Sequence, residues 1–251
     1  MSASPSKHGK IRIFHAIILA FLPACFSLCA NAQNPDVNIA AILKQLGLKE
    51  ESVYTPLVVR KTLPYAKNHS VIIIPKIVKE YPDCDVCFDL DAYILIAEKG
   101  KIVSRFYEPN AGSSDAWQLQ EIVIDTAPYI LNGDTRAFGV RVHYQGSSRV
   151  NPASETVISL FVPRGGALKR VLGNYPIVSS HGEWDGVCEG EFFSSDGLIS
   201  VGKEKTNDFA NLIVKKKHTW RINQIAGDEC GENEATMNTA KTLKFDGQEY
   251  R

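Results

Sequence analysis

The sequence has no excess of charge of either sign, because 28 Lys and Arg side chains balance 28 Asp and Glu side chains. Residues 1–32 hold three of the basic groups and no acidic one, so residues 33–251 carry 25 basic against 28 acidic groups. Nucleic-acid binding generally needs a basic surface that neutralises phosphates. This composition therefore argues against nucleic acid as a partner.

Short motifs of several large enzyme classes are also missing. The chain contains no H-E-x-x-H, no G-x-S-x-G, no G-x-x-x-x-G-K-[ST] and no G-x-G-x-x-G. The sequence gives no positive sign of catalysis and calls for no cofactor, so an enzyme is the less favoured expectation.

Long hydrophobic runs are scarce, and the one that approaches membrane-spanning length lies near the N-terminus. A basic segment over residues 1–12 precedes an apolar run over residues 13–28. Ala30 and Ala32 then form the A-x-A pattern that signal peptidase accepts. The sequence predicts a signal peptide over residues 1–32, export to the periplasm or the exterior, and no membrane span after processing.

The N-terminal segment has two alternative fates. A retained anchor is disfavoured because no charged stop-transfer cluster follows the apolar run. Lipid attachment at Cys25 is the second alternative. Leu22 and Ala24 suit a lipobox, whereas Pro23 between them does not.

Four cysteines remain in residues 33–251, namely Cys84, Cys87, Cys188 and Cys230. In an exported chain such a set indicates two disulfides with three possible pairings. We favour Cys84–Cys87, which lie in a turn-like stretch, and Cys188–Cys230. A redox-active C-x-x-C is disfavoured because acidic neighbours oppose thiolate formation, and a zinc site is disfavoured because a second close pair is missing.

The pattern of apolar residues predicts a mainly β fold, an antiparallel sandwich or meander with a short N-terminal helix. Ile39, Ile42, Leu43 and Leu46 recur at helical spacing, with Asn34 or Asp36 as caps and Gly47 as the exit. The rest reads as strands separated by turns, at 71–74, 89–97, 102–107, 119–124, 129–131, 137–144, 157–162, 168–172, near 192, 199 and 213, at 220–222 and at 242–245. Residues 144–154 are the best internal linker candidate, but composition does not change across them. Residues 33–251 are therefore predicted to form a single domain.

The densest group of reactive side chains is His181, Glu183 and Asp185. On an extended strand these three share one face, where a histidine and a carboxylate can pair in acid–base chemistry and Trp184 could stack on a sugar. The simpler interpretation is a loop that ends in an Asp185-Gly186 turn, with Trp184 in a core beside Cys188.

A second acidic group surrounds the C-x-x-C and comprises Asp83, Asp85, Asp89 and Asp91. Oxygen-rich loops bind Ca²⁺, but this spacing differs from that of an EF-hand loop. Because Asp89 and Asp91 are also expected on a solvated strand face, calcium is the less favoured interpretation.

Several runs together resemble a pattern in uncharacterised exported all-β proteins of Gram-negative bacteria. They are residues 124–131, 136–141 and 146–148, with the Cys84/Cys87 and Trp184/Cys188 stretches. The resemblance implies export and an all-β fold, and no activity.

The function expected from the sequence is binding to a protein partner in the periplasm or outside the cell. An inhibitor or immunity-type protein is a specific form of that expectation. The runner-up is an enzyme that acts on envelope polysaccharides through carboxylates near Trp184, and a structural envelope component is a third alternative.

Overall fold

The computed structural model describes residues 38–84 and 86–251. Its α-helix, α1 (Ile39–Leu46), begins at Asn38, whose side-chain oxygen accepts the N–H of Ala41 at 3.4 Å. It ends at Gly47, which adopts φ 68°, a conformation that glycine tolerates without a steric penalty. The expected caps Asn34 and Asp36, like the predicted signal peptide, lie outside the described residues.

Strands dominate the rest of the described chain, preceded by two short 3₁₀ helices (Glu50–Ser52 and Thr55–Leu57). There are eleven strands in these residues: β1 (Val59–Leu63), β2 (Ala66–Glu80), β3 (Phe88–Glu98), β4 (Lys101–Ser114), β5 (Trp117–Ile130), β6 (Arg136–Gly146), β7 (Ala153–Arg164), β8 (Ala167–Trp184), β9 (Gly190–Thr206), β10 (Phe209–Ala226) and β11 (Glu229–Leu243).

The first eight strands form a nearly closed barrel with the order β1-β2-β3-β4-β8-β7-β6-β5. Neighbours pair antiparallel except β4 and β8, which meet in parallel at Arg105 and Ala167. Lys61 on β1 donates to the carbonyl of Ile124 on β5 at 3.1 Å, so the two ends of this order lie side by side. An apolar core that includes Phe138 and Phe161 fills the barrel.

Strands β9, β10 and β11 extend the sheet from β8, which is long enough to pair with β7 and with β9. The part of this extension nearest the barrel is buried in a second apolar cluster, which includes Leu212, Val214 and Leu243. Beyond it the strands become exposed, and β11 from Glu229 to Thr242 has almost no buried residue. The distal half of the extension is therefore a ribbon with both faces open to solvent.

The mainly β fold with a short N-terminal helix is confirmed, and the meander describes it better than the sandwich. The observed strands are fewer and longer than the predicted ones, since β9 contains both of the runs predicted near residues 192 and 199. The predicted linker at 144–154 connects the paired strands β6 and β7. No helix within residues 38–84 and 86–251 is long and apolar enough to cross a membrane.

Both favoured disulfides are present in the structure. Cys84 bonds to Cys87, and Cys188, in the loop between β8 and β9, bonds to Cys230 near the start of β11. The second bond fastens the tip of the β10–β11 hairpin to the neighbouring turn.

Candidate functional site

A groove of about 820 Å³ lies on the exposed part of β8, β9 and β10. Strand register builds it from two rows of side chains. In one row, His181 lies opposite Phe193, which lies opposite Trp220. In the other row, Glu183 lies opposite Glu191, which lies opposite Ile222. Because side chains two residues apart on a strand share a face, both rows point to the same side of the sheet.

Ring contacts connect four side chains, which we call the aromatic face: His181, Phe193, His218 and Trp220. The ring of Phe193 lies 5.1 Å from that of His181, 5.9 Å from that of His218 and 5.4 Å from that of Trp220. These distances are typical of favourable aromatic packing. Trp220 nevertheless remains 40% exposed and Ile222 45% exposed, so the cluster presents apolar surface to solvent.

The carboxylates of Glu183 and Glu191 are the negative charges of the groove. They occupy directly opposed positions on antiparallel strands, where like charges destabilise a sheet. Within residues 38–84 and 86–251, neither forms an ion pair with a cation. Arg221 also lines the groove, but its guanidinium lies 3.8 Å from Glu232 and over the ring of Phe192.

Two glycines allow β8 and β9 to approach beside the groove. A Cβ atom on Gly182 would lie 2.5 Å from the ring of Phe192, and one on Gly190 would lie 2.7 Å from the carbonyl oxygen of Glu183. Both distances are too short for a real contact. Any larger residue at either position would shift the strands that place Glu183 opposite Glu191.

The three residues that the sequence offered as a reactive group, His181, Glu183 and Asp185, do not all lie in the groove. His181 and Glu183 line the groove, whereas Asp185 lies in the turn after β8. Its carboxylate accepts the backbone N–H groups of Val187 at 2.8 Å and Cys188 at 2.9 Å. These hydrogen bonds lower the pKa of Asp185. Asp185 is thus a turn residue, as the simpler interpretation held.

Trp184 differs from the core position that this interpretation gave it. It is only partly buried and belongs to none of the three buried apolar clusters, although Cys188 is buried. Its backbone N–H donates to the carbonyl of Val150 at 2.8 Å. The tryptophan that lines the groove is Trp220.

Two members of the acidic group around the C-x-x-C, Asp89 and Asp91, form hydrogen bonds within the protein, whereas Asp83 is exposed. Asp89 accepts the hydroxyl of Tyr81 at 3.0 Å. Asp91 is buried and accepts the hydroxyl of Tyr107 and the N–H of Asn110, the latter at 2.9 Å. Asp85 lies outside the described residues. In the rest, no group of three or more His, Cys, Asp or Glu side chains is placed to hold a metal ion.

Another polar network joins β5 to β6. Asp125 accepts hydrogen bonds from the guanidinium of Arg141 at 2.8 and 2.9 Å and from the hydroxyl of Tyr129 at 2.9 Å. Burial by itself would raise the pKa of Asp125, but these bonds and one from the N–H of Ala127 lower it. Every donor comes from this pair of strands, so the network stabilises the barrel wall.

No protein-family model matches the chain, and neither a curated protein nor a solved structure matches it.

Proposed function

We propose that this chain is an exported, disulfide-bonded binding protein that captures a protein partner in its groove. An inhibitor or immunity-type activity is the specific form we favour. Two disulfides support export, because such bonds persist in oxidising compartments and are rare in the cytosol. The predicted signal peptide and A-x-A pattern support the same destination.

One observation carries the proposal. Exposed aromatic surface lies beside two opposed carboxylates, Glu183 and Glu191, that form no ion pair with a cation among the described residues. Exposed tryptophan and neighbouring apolar side chains are typical anchors of protein interfaces. A lysine or arginine from the partner would relieve the repulsion between Glu183 and Glu191, while an adjacent apolar side chain packs on Trp220 and Ile222. The partner segment should therefore be both cationic and apolar.

The enzyme alternative uses the same groove with different residues. Glycoside hydrolysis commonly needs two carboxylates that flank the scissile bond. Glu183 and Glu191 would take these roles, since Asp185 lies outside the groove. In the described residues, no hydrogen bond joins His181 to either carboxylate.

Capture from the periplasmic or secreted fraction of the producing cells tests the proposal. The wild-type chain should retain one protein in stoichiometric amount. Trp220→Ala should abolish its capture, whereas Ile130→Ala, which trims a side chain on β5 that is more exposed than Trp220, should retain it. If the Trp220→Ala variant still captures the protein, the groove is not the binding site. If the wild type degrades an envelope polysaccharide and Glu183→Gln and Glu191→Gln abolish that activity, the enzyme alternative would be favoured over binding.

A further inference from the structure

The outer edge of β11 is a long, regular strand edge. Within the described residues β11 pairs with β10 alone, and the 15 paired positions from Leu212–Leu243 to Ala226–Glu229 run without a register shift. From Glu229 to Thr242 the side chains on both faces are exposed, apart from the partly covered Gly231. The backbone of this edge is thus accessible along its whole length.

The hairpin turn identifies which backbone groups face outward. Gly227 and Asp228 form a two-residue turn closed by the pair Ala226–Glu229, and Gly227 has φ 67°. The closing pair of such a hairpin exchanges both backbone hydrogen bonds, and the bonding direction then alternates along the strand. Odd-numbered residues of β11 therefore bond to β10, and the N–H and C=O groups of the even-numbered ones point outward: Cys230, Glu232, Glu234, Thr236, Asn238, Ala240 and Thr242.

Natural proteins usually prevent such an edge from pairing with another chain by means of proline, a bulge, a short strand or lysine. Strand β11 has no proline, no bulge and 15 residues. Its charges are divided, with Glu229, Glu232 and Glu234 in the first half and Lys241 in the second. Parallel pairing with a second copy would align the glutamates, whereas antiparallel pairing sets them against the other half of the strand.

We propose that two copies of this chain pair antiparallel through β11, about a two-fold axis at Thr236. The seven outward-facing residues are symmetric about Thr236, so this register uses all of them. Glu234 of one copy then faces Asn238 of the other, and Glu232 faces Ala240, so that no glutamate opposes another. A two-fold axis perpendicular to the sheet keeps corresponding faces on one side, and the two aromatic faces would form a bivalent surface.

Sedimentation equilibrium of the full processed chain over a wide concentration range tests this proposal. The wild type should dimerise reversibly. Thr236→Pro removes an outward-facing N–H and spares the bonds to β10, and Thr236→Lys places two ammonium groups opposite each other. Each should weaken the dimer at least about tenfold, equivalent to about 1.4 kcal/mol.

Leu198→Lys is the matched control, because it adds the same charge at an exposed position of β9, which is separated from β11 by β10. It should leave dimerisation unchanged, and thermal unfolding should verify that every variant folds. A wild type that remains monomeric at all concentrations would overturn the proposal, and so would a dimer insensitive to both Thr236 variants. The proposed capture of a partner is independent, since Trp220 lies on β10.

Discussion

Glu183 on β8 lies directly opposite Glu191 on β9, and neither carboxylate has a cation among the residues that the structure describes. This arrangement opposes folding locally and favours a positively charged ligand. Its position beside Trp220 and Phe193 makes the charge part of an apolar groove. Stability and binding should therefore respond in opposite directions to changes at this pair.

Neutralising one member of the pair should stabilise the protein. Glu183→Gln removes the repulsion and should raise the free energy of unfolding by about 0.2–1 kcal/mol. The matched change Glu232→Gln removes a partner of Arg221 and should not stabilise. Urea denaturation of the three proteins measures both effects, and a loss of stability in Glu183→Gln would contradict the repulsion argument.

The two disulfides should contribute unequally. Closing the 42-residue separation of Cys188 and Cys230 corresponds to about 4 kcal/mol of loop entropy, against about 2 kcal/mol for Cys84–Cys87. The double serine variant at Cys188 and Cys230 should therefore melt at a lower temperature than the one at Cys84 and Cys87. Calorimetry under non-reducing conditions compares them, and the reverse order would show that β11 is held mainly by other contacts.

Lowering the pH should destabilise the barrel, because the carboxylate of Asp125 becomes protonated. The pKa of its carboxyl is lowered in the folded protein, so its contribution is complete above the unfolded value of about 3.9 and is lost as the pH falls through the folded pKa. At neutral pH, Asp125→Asn should cost about 2 kcal/mol, because charged hydrogen bonds are broken. Denaturation at several pH values should show this difference shrinking below about pH 4. A difference that stays constant with pH would contradict the assignment.

The loss of stability on truncation to alanine should differ between the buried Phe138 and the partly buried Trp184. Phe138 is fully buried, so Phe138→Ala should cost about 3–5 kcal/mol. Trp184 is only partly buried, and Trp184→Ala should cost clearly less than Phe138→Ala. Equal losses, measured by chemical denaturation, would place Trp184 in the core that the sequence suggested.

Local sequence patterns were sufficient for the helix and for two hairpins, β3–β4 and β7–β8, but not for the β10–β11 hairpin, where the only run predicted for β11, at 242–245, covers just its end. The β3–β4 turn uses Lys99 and Gly100 and the β7–β8 turn uses Gly165 and Gly166, all with positive φ, so short-range turn chemistry determines these pairings. The end of α1 at Gly47 follows the same logic.

The groove could not be derived in this way. Glu183, Glu191 and Trp220 belong to three strands, and their proximity depends on register across two strand pairs, which periodicity does not encode. Strand alternation would place Asp185 on the same face as His181, but the strand ends at Trp184, before Asp185. Gly186, with φ 85°, then turns the chain away.

The most direct test of the proposed function is the dissociation constant of the captured partner for Glu183→Lys. A lysine opposite Glu191 forms an attractive cross-strand pair, so this variant should unfold at an equal or higher denaturant concentration than the wild type. Its positive charge should nevertheless weaken partner binding by at least about tenfold. Glu121→Lys, at an exposed position on β5, should leave the affinity unchanged. A stable Glu183→Lys variant that binds the partner as tightly as the wild type would contradict the account.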